Sequence, residues 1–271
     1  MEWRKTLVIF VVVFMLLDVY LLFLLYMKQQ ENELDALSHT SFEDSLVERG
    51  IKIDQADFKT FPKQAHYLSA HYKQFALKDL KSLTKQKFQL VDNNKMISSD
   101  ITDEVKAEAP NFTVLKSYVA NNIYQGASYH LSTYDKTTNE IVFSQHYKTK
   151  RFVFGEEAKL IFHYEKGYVK SYQQTLLTDI TPLEGSNDLI SPLQGFESLF
   201  QNNKVADKTT VLDVQLGYYI LGELESSNVY MPVWYYTVEV NGQKSQLMVD
   251  AIEGQVLTAD MSNDTEYTTA S

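Results

Sequence analysis

The chain has 271 residues, no cysteine and a formal net charge of −10 at pH 7. This acidic balance excludes nucleic acid as an expected partner, because phosphate recognition needs a basic surface. Hydrophobic residues make up 44% of the chain, which is ample material for a packed core, and the lack of cysteine excludes a thiol nucleophile.

The first predicted element is an apolar segment over residues 6–27, in which Asp18 carries the only charged side chain. As a helix, this segment spans roughly 33 Å, enough to cross a hydrocarbon core of about 30 Å. A cleavable signal peptide has a shorter apolar region of about 7 to 15 residues, and a small-residue cleavage site. We therefore predict an uncleaved transmembrane helix.

Basic residues near the ends of this helix predict its orientation. Arg4 and Lys5 precede it, whereas the stretch that begins with Lys28 is mainly acidic. Lysine and arginine near a span are retained on the cytoplasmic side of the membrane. We therefore expect a single-pass protein of the cell membrane, with residues 1–5 in the cytoplasm and residues 28–271 outside it.

Asp18 is the candidate functional residue of the helix. A carboxylate near the middle of a span costs on the order of 3 kcal/mol, and such residues generally face protein or a cavity. Apolar residues at alternating steps of four and three place Asp18 in a seam that can meet a partner helix. The seam consists of Leu7, Val11, Phe14, Asp18, Leu21 and Leu25. The alternative is a protonated Asp18 that hydrogen-bonds within its own helix.

A polar stalk is predicted over residues 28–60, followed by a first extracytoplasmic domain over residues 61–154. The predicted elements of this domain are a strand-like segment over 65–75, a helix through Leu77, Leu80 and Leu83, a helix capped by Asn111 and stopped by Gly126, and a hairpin over 127–147.

A second extracytoplasmic domain is predicted over residues 155–260, followed by a polar tail over residues 261–271. Its predicted elements are a hairpin that turns at Gly167, a helix over 191–202, a strand over 211–221 and a hairpin that turns at Asn241 and Gly242. The fold class that follows is α+β, with two tandem domains of antiparallel sheet after the transmembrane helix.

Catalytic and metal-binding patterns are nearly absent from the sequence. Ser82 and Lys85 match the S-x-x-K pattern of penicillin-recognising enzymes, but the companion K-T-G is missing and the pattern is short. His130 and His146 are expected to face each other across the first hairpin, yet two imidazoles without a third ligand make a poor zinc or copper site. We therefore predict no catalytic residues, no metal and no cofactor.

Short segments along nearly the whole chain carry a family resemblance through their order and spacing. They are residues 1–6, 67–70, 167–175, 189–191, 216–219, 232–234 and 249–254. Together they resemble the YycI (WalI) family, the accessory membrane proteins of the WalK/WalR cell-wall two-component system in low-GC Gram-positive bacteria. The last two segments also resemble a PepSY hairpin, in which Asp250 and Gly254 are expected to close the turn.

The resemblance implies a regulator without chemistry of its own. It implies that the transmembrane helix binds a WalK-like sensor histidine kinase and that the extracytoplasmic domains bind a YycH-like membrane protein. Two other functions stay open at this point. One is an exported ligand-binding or protease-inhibiting PepSY-like module, and the other is a cell-wall enzyme that uses Ser82 and Lys85.

Overall fold

The structure is a computed structural model that describes residues 3, 7–8, 10–11, 13–21, 42–53, 58–136, 138–153, 158–223 and 227–257. The chain divides into two compact units, Met1–Ile51 and Lys52–Ser271.

In the first unit, the described residues between positions 7 and 21 are helical, which agrees with the helix predicted there. No helix within the described part of the chain is long and apolar enough to cross a membrane, and the remainder of residues 6–27 lies outside that part. A second helical segment covers residues 42–48 of the predicted stalk. A turn over residues 49–50 closes this segment. Gly50 has a φ of 67°, which lets the Ile51 N–H donate to the Leu46 carbonyl at 2.8 Å.

The second unit contains fifteen described strands and two described α-helices. The strands are β1 (Gln64–Ala65), β2 (Leu68–Tyr72), β3 (Gln86–Val91), β4 (Met96–Lys106), β5 (Tyr129–Asp135), β6 (Glu140–Tyr147), β7 (Lys150–Arg151), β8 (Lys159–Glu165), β9 (Tyr168–Thr175), β10 (Leu177–Pro182), β11 (Asn187–Asp188), β12 (Thr210–Glu223), β13 (Asn228–Val240), β14 (Gln243–Asp250) and β15 (Val256–Leu257). The helices are α1 (Thr113–Asn122) and α2 (Pro192–Gln201).

The first large sheet has the order β3-β4-β9-β8-β6-β5, with β7 added beside β6, and its neighbouring strands are antiparallel. Helix α1 contributes Leu115 and Val119 to the apolar core of this sheet. The strands contribute side chains that are almost completely buried: Ile97, Ile141, Phe143, Leu160, Phe162 and Tyr172. This sheet therefore has its own hydrophobic core.

The second large sheet has the order β10-β2-β13-β14-β15, and β12 pairs with β13 over most of its length. Helix α2 packs on this sheet, where the Tyr236 hydroxyl donates to the Pro192 carbonyl at 2.6 Å. The Trp234 indole N–H donates to the Ile190 carbonyl at 3.0 Å. Two strand side chains thus hold the start of the helix.

Local sequence signals explain several of these elements. Ser191 caps α2 through a capping box with Gln194, which confirms the predicted helix start. The β8–β9 turn at Gly167 (φ 82°) and the β13–β14 turn at Gly242 (φ 81°) are the predicted hairpins. In each hairpin, glycine supplies the positive φ that a two-residue turn requires.

Two predicted helix features are wrong. Residues 77–82 form successive turns rather than a helix. Their backbone N–H groups donate to the carbonyl three residues earlier, not four as in an α-helix. Leu80 is buried in the core but Leu77 is 68% exposed, so the predicted leucine face is not buried as a unit. Helix α1 is preceded by Phe112 in the left-handed region (φ 50°), without a side-chain cap, so Asn111 is not its cap.

The α+β class with antiparallel sheets is confirmed, but the sheets follow a different division of the chain from the predicted ranges 61–154 and 155–260. Strands β6 and β8 lie on opposite sides of that boundary and pair with each other. Strand β2, near the start of the unit, pairs with β10 and β13. The first large sheet is thus inserted in sequence between two neighbouring strands of the second.

Lys52, the first residue of the second unit, is hydrogen-bonded to the long strand β12. Lys52 forms a parallel bridge with Thr210 at the start of β12. The Lys52 N–H donates to the Thr209 carbonyl, and the Lys52 carbonyl accepts from the Val211 N–H, each at 2.9 Å. Strand β12 is then paired with β13 as far as Glu223.

Candidate functional site

The predicted transmembrane seam lies partly within the described residues. Leu7, Val11, Phe14, Asp18 and Leu21 are all helical and exposed, whereas Leu25 lies outside the described part. At 100° per residue, the five described positions fall within an arc of about 80°. The seam is therefore one face of a helix whose described residues are apolar on the other faces too, and Asp18 places a single carboxylate on that face.

Among the described residues, Lys85 forms an ion pair with an aspartate and no hydrogen bond with Ser82. Its ammonium group lies 3.0 Å from the Asp103 carboxylate, and its backbone is in the left-handed region (φ 63°). Ser82 lies in the exposed turns after β2 rather than on a helix. The arrangement gives no support to Ser82 as a nucleophile.

His130 and His146 are neighbours, with ring centroids 4.3 Å apart, although strand pairing places His130 opposite Ser144. Burial lowers the pKa of His146 to about 4, and the nearby His130 and Arg151 act in the same direction. The described residues contain no group of three or more His, Cys, Asp or Glu that could hold a metal ion. His146 is half-buried in the first sheet and His130 is exposed beside it.

Arg151 sits beside this pair and was not singled out from the sequence. Its guanidinium lies 4.4 Å from the centre of the Tyr235 ring and donates to the Ser132 hydroxyl at 2.7 Å. The Tyr235 hydroxyl in turn donates to the Gln215 side chain on β12. These contacts tie the edge of the first large sheet to the second, and their residues come from four distant segments that no short motif joins.

The C-terminal turn has the structure expected for Asp250 and Gly254. The Asp250 carboxylate accepts the N–H groups of Ile252 at 2.7 Å and Glu253 at 3.2 Å, and the side chain is 4% exposed. Gly254 has a φ of 73°, and its N–H donates to the Asp250 carbonyl. Asp250 therefore acts as a turn-forming residue, because a carboxylate oxygen occupied by backbone donors stabilises this reversal.

The family model for the YycI protein matches residues 29–252. The chain belongs to the YycI family. No curated protein sequence matches it.

Three solved structures are similar to this YycI family member at low identity. An uncharacterized protein from Eubacterium rectale has 12% identity and a TM-score of 0.45, over 78% of this chain and 89% of that one. YycH from Bacillus subtilis has 13% identity and a TM-score of 0.38, over 67% of this chain and 52% of that one. The C-terminal domain of Bacillus megaterium YpeB has 12% identity and a TM-score of 0.35, over 66% of this chain and 90% of that one.

YycI family membership supports a regulatory role in two-component signalling rather than an enzymatic one. The matched residues begin after the predicted transmembrane helix, so the match rests on the part of the chain that contains both large sheets. The sequence features that indicate this family are short dispersed segments, none of which carries a catalytic pattern.

Proposed function

We propose that this YycI family member is a non-enzymatic regulator anchored in the cell membrane by residues 6–27. Its seam binds the transmembrane part of a WalK-like sensor histidine kinase, and its extracytoplasmic part binds a YycH-like protein. The observation that carries the regulatory part of the proposal is the family match over residues 29–252. The apolar composition of residues 6–27 supports the anchor.

The seam has the chemistry that helix association in lipid requires. Lipid tails are as apolar as leucine, so helices associate through side-chain packing and polar contacts rather than through the hydrophobic effect. Leu7, Val11, Phe14 and Leu21 are exposed on the same face as Asp18 and supply the packing surface. Asp18 supplies one strong polar group, and a carboxylate in a membrane is stabilised by a polar partner on the facing helix.

Regulation then acts through the conformational equilibrium of the kinase. A bound protein shifts this equilibrium only if it contacts the two kinase states differently. A coupling free energy of about 1 to 3 kcal/mol changes the balance by roughly 5- to 150-fold. Contacts along a single helix can supply a difference of this size without any catalytic group.

The test is co-purification of the full chain with the kinase from membranes, together with a reporter of kinase signalling. Asp18→Leu is expected to reduce both association and regulation, whereas Asp18→Asn retains a hydrogen-bonding group and is expected to lose less. Leu21→Ala removes a seam side chain, and Leu16→Ala is its matched control. Leu16 is also exposed, but lies about 160° from Asp18 around the helix.

The expected pattern is loss of association in Asp18→Leu and Leu21→Ala with little change in Leu16→Ala. Unchanged association in both seam variants would remove the helix from the mechanism. Equal loss in Leu16→Ala would mean that the helix contributes general hydrophobicity rather than a specific face.

A further inference from the structure

A small pocket opens where the β6–β7 turn meets the segment around β1 and the end of β10. Its volume is about 180 Å³, below the range of about 300 to 1,000 Å³ that is typical of drug-sized ligands. The polar side chains that line it are Gln64, His66, Tyr147, Lys148, Lys150 and Tyr218. None of its lining residues is acidic, although the chain has a net charge of −10.

Lys148 and Lys150 bring positive charge to the lining of this pocket. Within the described residues, neither lysine has a carboxylate within 4.0 Å, whereas Lys73 and Lys85 elsewhere are each paired with an aspartate. The Lys148 ammonium lies 5.2 Å from the centre of the Tyr147 ring. Two lysines without a described acidic partner at one small cavity favour an anionic occupant.

Gln64 and His66 also line the pocket, and each makes a hydrogen bond to a residue that does not line it. The Gln64 amide donates to the Asp188 carboxylate at 2.8 Å, and Asp188 is not among the lining residues. His66 Nδ1 lies 2.9 Å from the Gly185 carbonyl, which can only accept, so this nitrogen carries the proton. The acidic group nearest to Gln64 is thus already engaged by a donor.

Tyr218 adds a hydroxyl group to the lining of the pocket. Its side chain is 4% exposed and packs against Phe152, and its hydroxyl makes no hydrogen bond to any described residue. Burial, with a smaller effect from Tyr147, raises the pKa of Tyr218 to about 12, so the hydroxyl keeps its proton and can donate to a ligand in the pocket.

We propose that this pocket binds a phosphate group, with Lys148 and Lys150 as its cationic contacts and the Tyr218 hydroxyl as a hydrogen-bond donor. A phosphate monoester has three non-bridging acceptor oxygens and more negative charge than a carboxylate, which suits a pocket lined by two lysines and a tyrosine hydroxyl. Lysine binds phosphate as a point charge and does not need the planar geometry of arginine. A free phosphate monoester and the headgroup of phosphatidic acid both present this chemistry.

The experiment uses the full chain in a neutral detergent and titrates inorganic phosphate or sn-glycerol 3-phosphate, with sodium chloride at matched ionic strength as the reference. The readout is thermal unfolding followed by tryptophan fluorescence, since Trp234 is 2% exposed. A ligand that binds only the folded state raises the unfolding midpoint in proportion to its occupancy. Nanodiscs that contain phosphatidic acid test the lipid source, and phosphatidylcholine nanodiscs, whose phosphate is a diester, are the reference.

Two variants with matched controls test the assignment. Tyr218→Phe keeps the ring and removes only the hydroxyl, and Tyr219→Phe makes the same change on the next residue, which packs into a different cluster. Lys148→Gln with Lys150→Gln removes two charges from the pocket, and Lys81→Gln with Lys170→Gln removes two exposed charges elsewhere. We expect about tenfold weaker phosphate binding in each pocket variant, because a hydrogen bond to a charged group contributes on this scale.

A phosphate-dependent shift that is lost in both pocket variants and kept in both controls supports the site. The double lysine variant changes side chains outside the core, so it tests binding even if Tyr218→Phe lowers stability. Three results would overturn the proposal. They are the absence of a shift with both phosphates and with phosphatidic acid, unchanged phosphate binding in the lysine variant, and an equal loss of binding in the controls. Since none of these measurements contains the kinase, the outcome is independent of the proposed regulatory function.

Discussion

Gly195 is the point of closest approach between helix α2 and the second large sheet, and its replacement by alanine makes a sharp prediction. A Cβ at this position would lie 2.5 Å from the Tyr236 hydroxyl, well inside van der Waals contact. Tyr236 is completely buried, and its hydroxyl is held by the Pro192 carbonyl, so it cannot move aside without losing that hydrogen bond.

Three terms set the expected size of the effect of Gly195→Ala. Overpacking a well-packed site costs about 1 to 3 kcal/mol. Displacing the hydroxyl adds the loss of a hydrogen bond worth about 1 kcal/mol. Alanine gains about 1 kcal/mol over glycine inside a helix, which offsets part of this. We therefore expect a net loss of about 1 to 3 kcal/mol in the free energy of unfolding.

The decisive measurement is the same substitution in a Tyr236→Phe background. Without the hydroxyl, the nearest atoms to the new Cβ are Trp234 Cδ1 at 3.5 Å and the ring Cζ of residue 236 at 3.7 Å, which are ordinary contacts. Helix propensity then dominates, and Gly195→Ala is expected to stabilise the Tyr236→Phe variant by up to about 1 kcal/mol. The four proteins of this double-mutant cycle can be compared by urea unfolding, with Trp234 fluorescence as the signal.

A change of sign between the two backgrounds is the expected result. If Gly195→Ala destabilises both backgrounds equally, a clash with the Tyr236 hydroxyl is not the cause of the lost stability.

Two further predictions concern the edge where the large sheets meet. Gly217→Ala on β12 places a Cβ 2.9 Å from the Arg151 carbonyl oxygen, a backbone atom that cannot rotate away, so we expect a loss of about 1 to 3 kcal/mol in urea unfolding. Gly222→Ala on the same strand has no atom within 4 Å and is the matched control, and similar losses in both would contradict the reasoning. Burial lowers the pKa of His146 from an ordinary 6.5 to about 4 in the folded protein. As the pH decreases from about 6.5 to about 4, the unfolded chain therefore binds a proton at His146 before the folded protein does, and the free energy of unfolding should fall over this range. His146→Gln should remove that part of the pH dependence of the unfolding midpoint, and an unchanged slope would show that other groups cause it.

The elements that could be predicted from the sequence are those fixed by a few adjacent residues. Gly167 and Gly242 each sit where a hairpin requires a positive φ, and Ser191 with Gln194 defines a helix start within four positions. The predicted helix near Leu80 failed although its leucine spacing was suitable. Only Leu80 of that segment is fully buried, and without an apolar face to bury a short helix has little to stabilise it.

The features that escaped prediction depend on pairing between distant segments. Strand β2 pairs with β13 more than 150 positions later in the chain, and nothing in either strand's sequence specifies the other. The pocket around Tyr218 likewise draws its lining from four separated segments. By contrast, the seam around Asp18 is a periodic feature of one helix and could be proposed from spacing alone.

The anchoring of Lys52 to the start of β12 determines how mechanical tension enters the second unit. Its two hydrogen bonds to β12 belong to a parallel bridge. A pull on Lys52 along the direction of β12 therefore loads both hydrogen bonds at once, in shear, instead of breaking them one after the other.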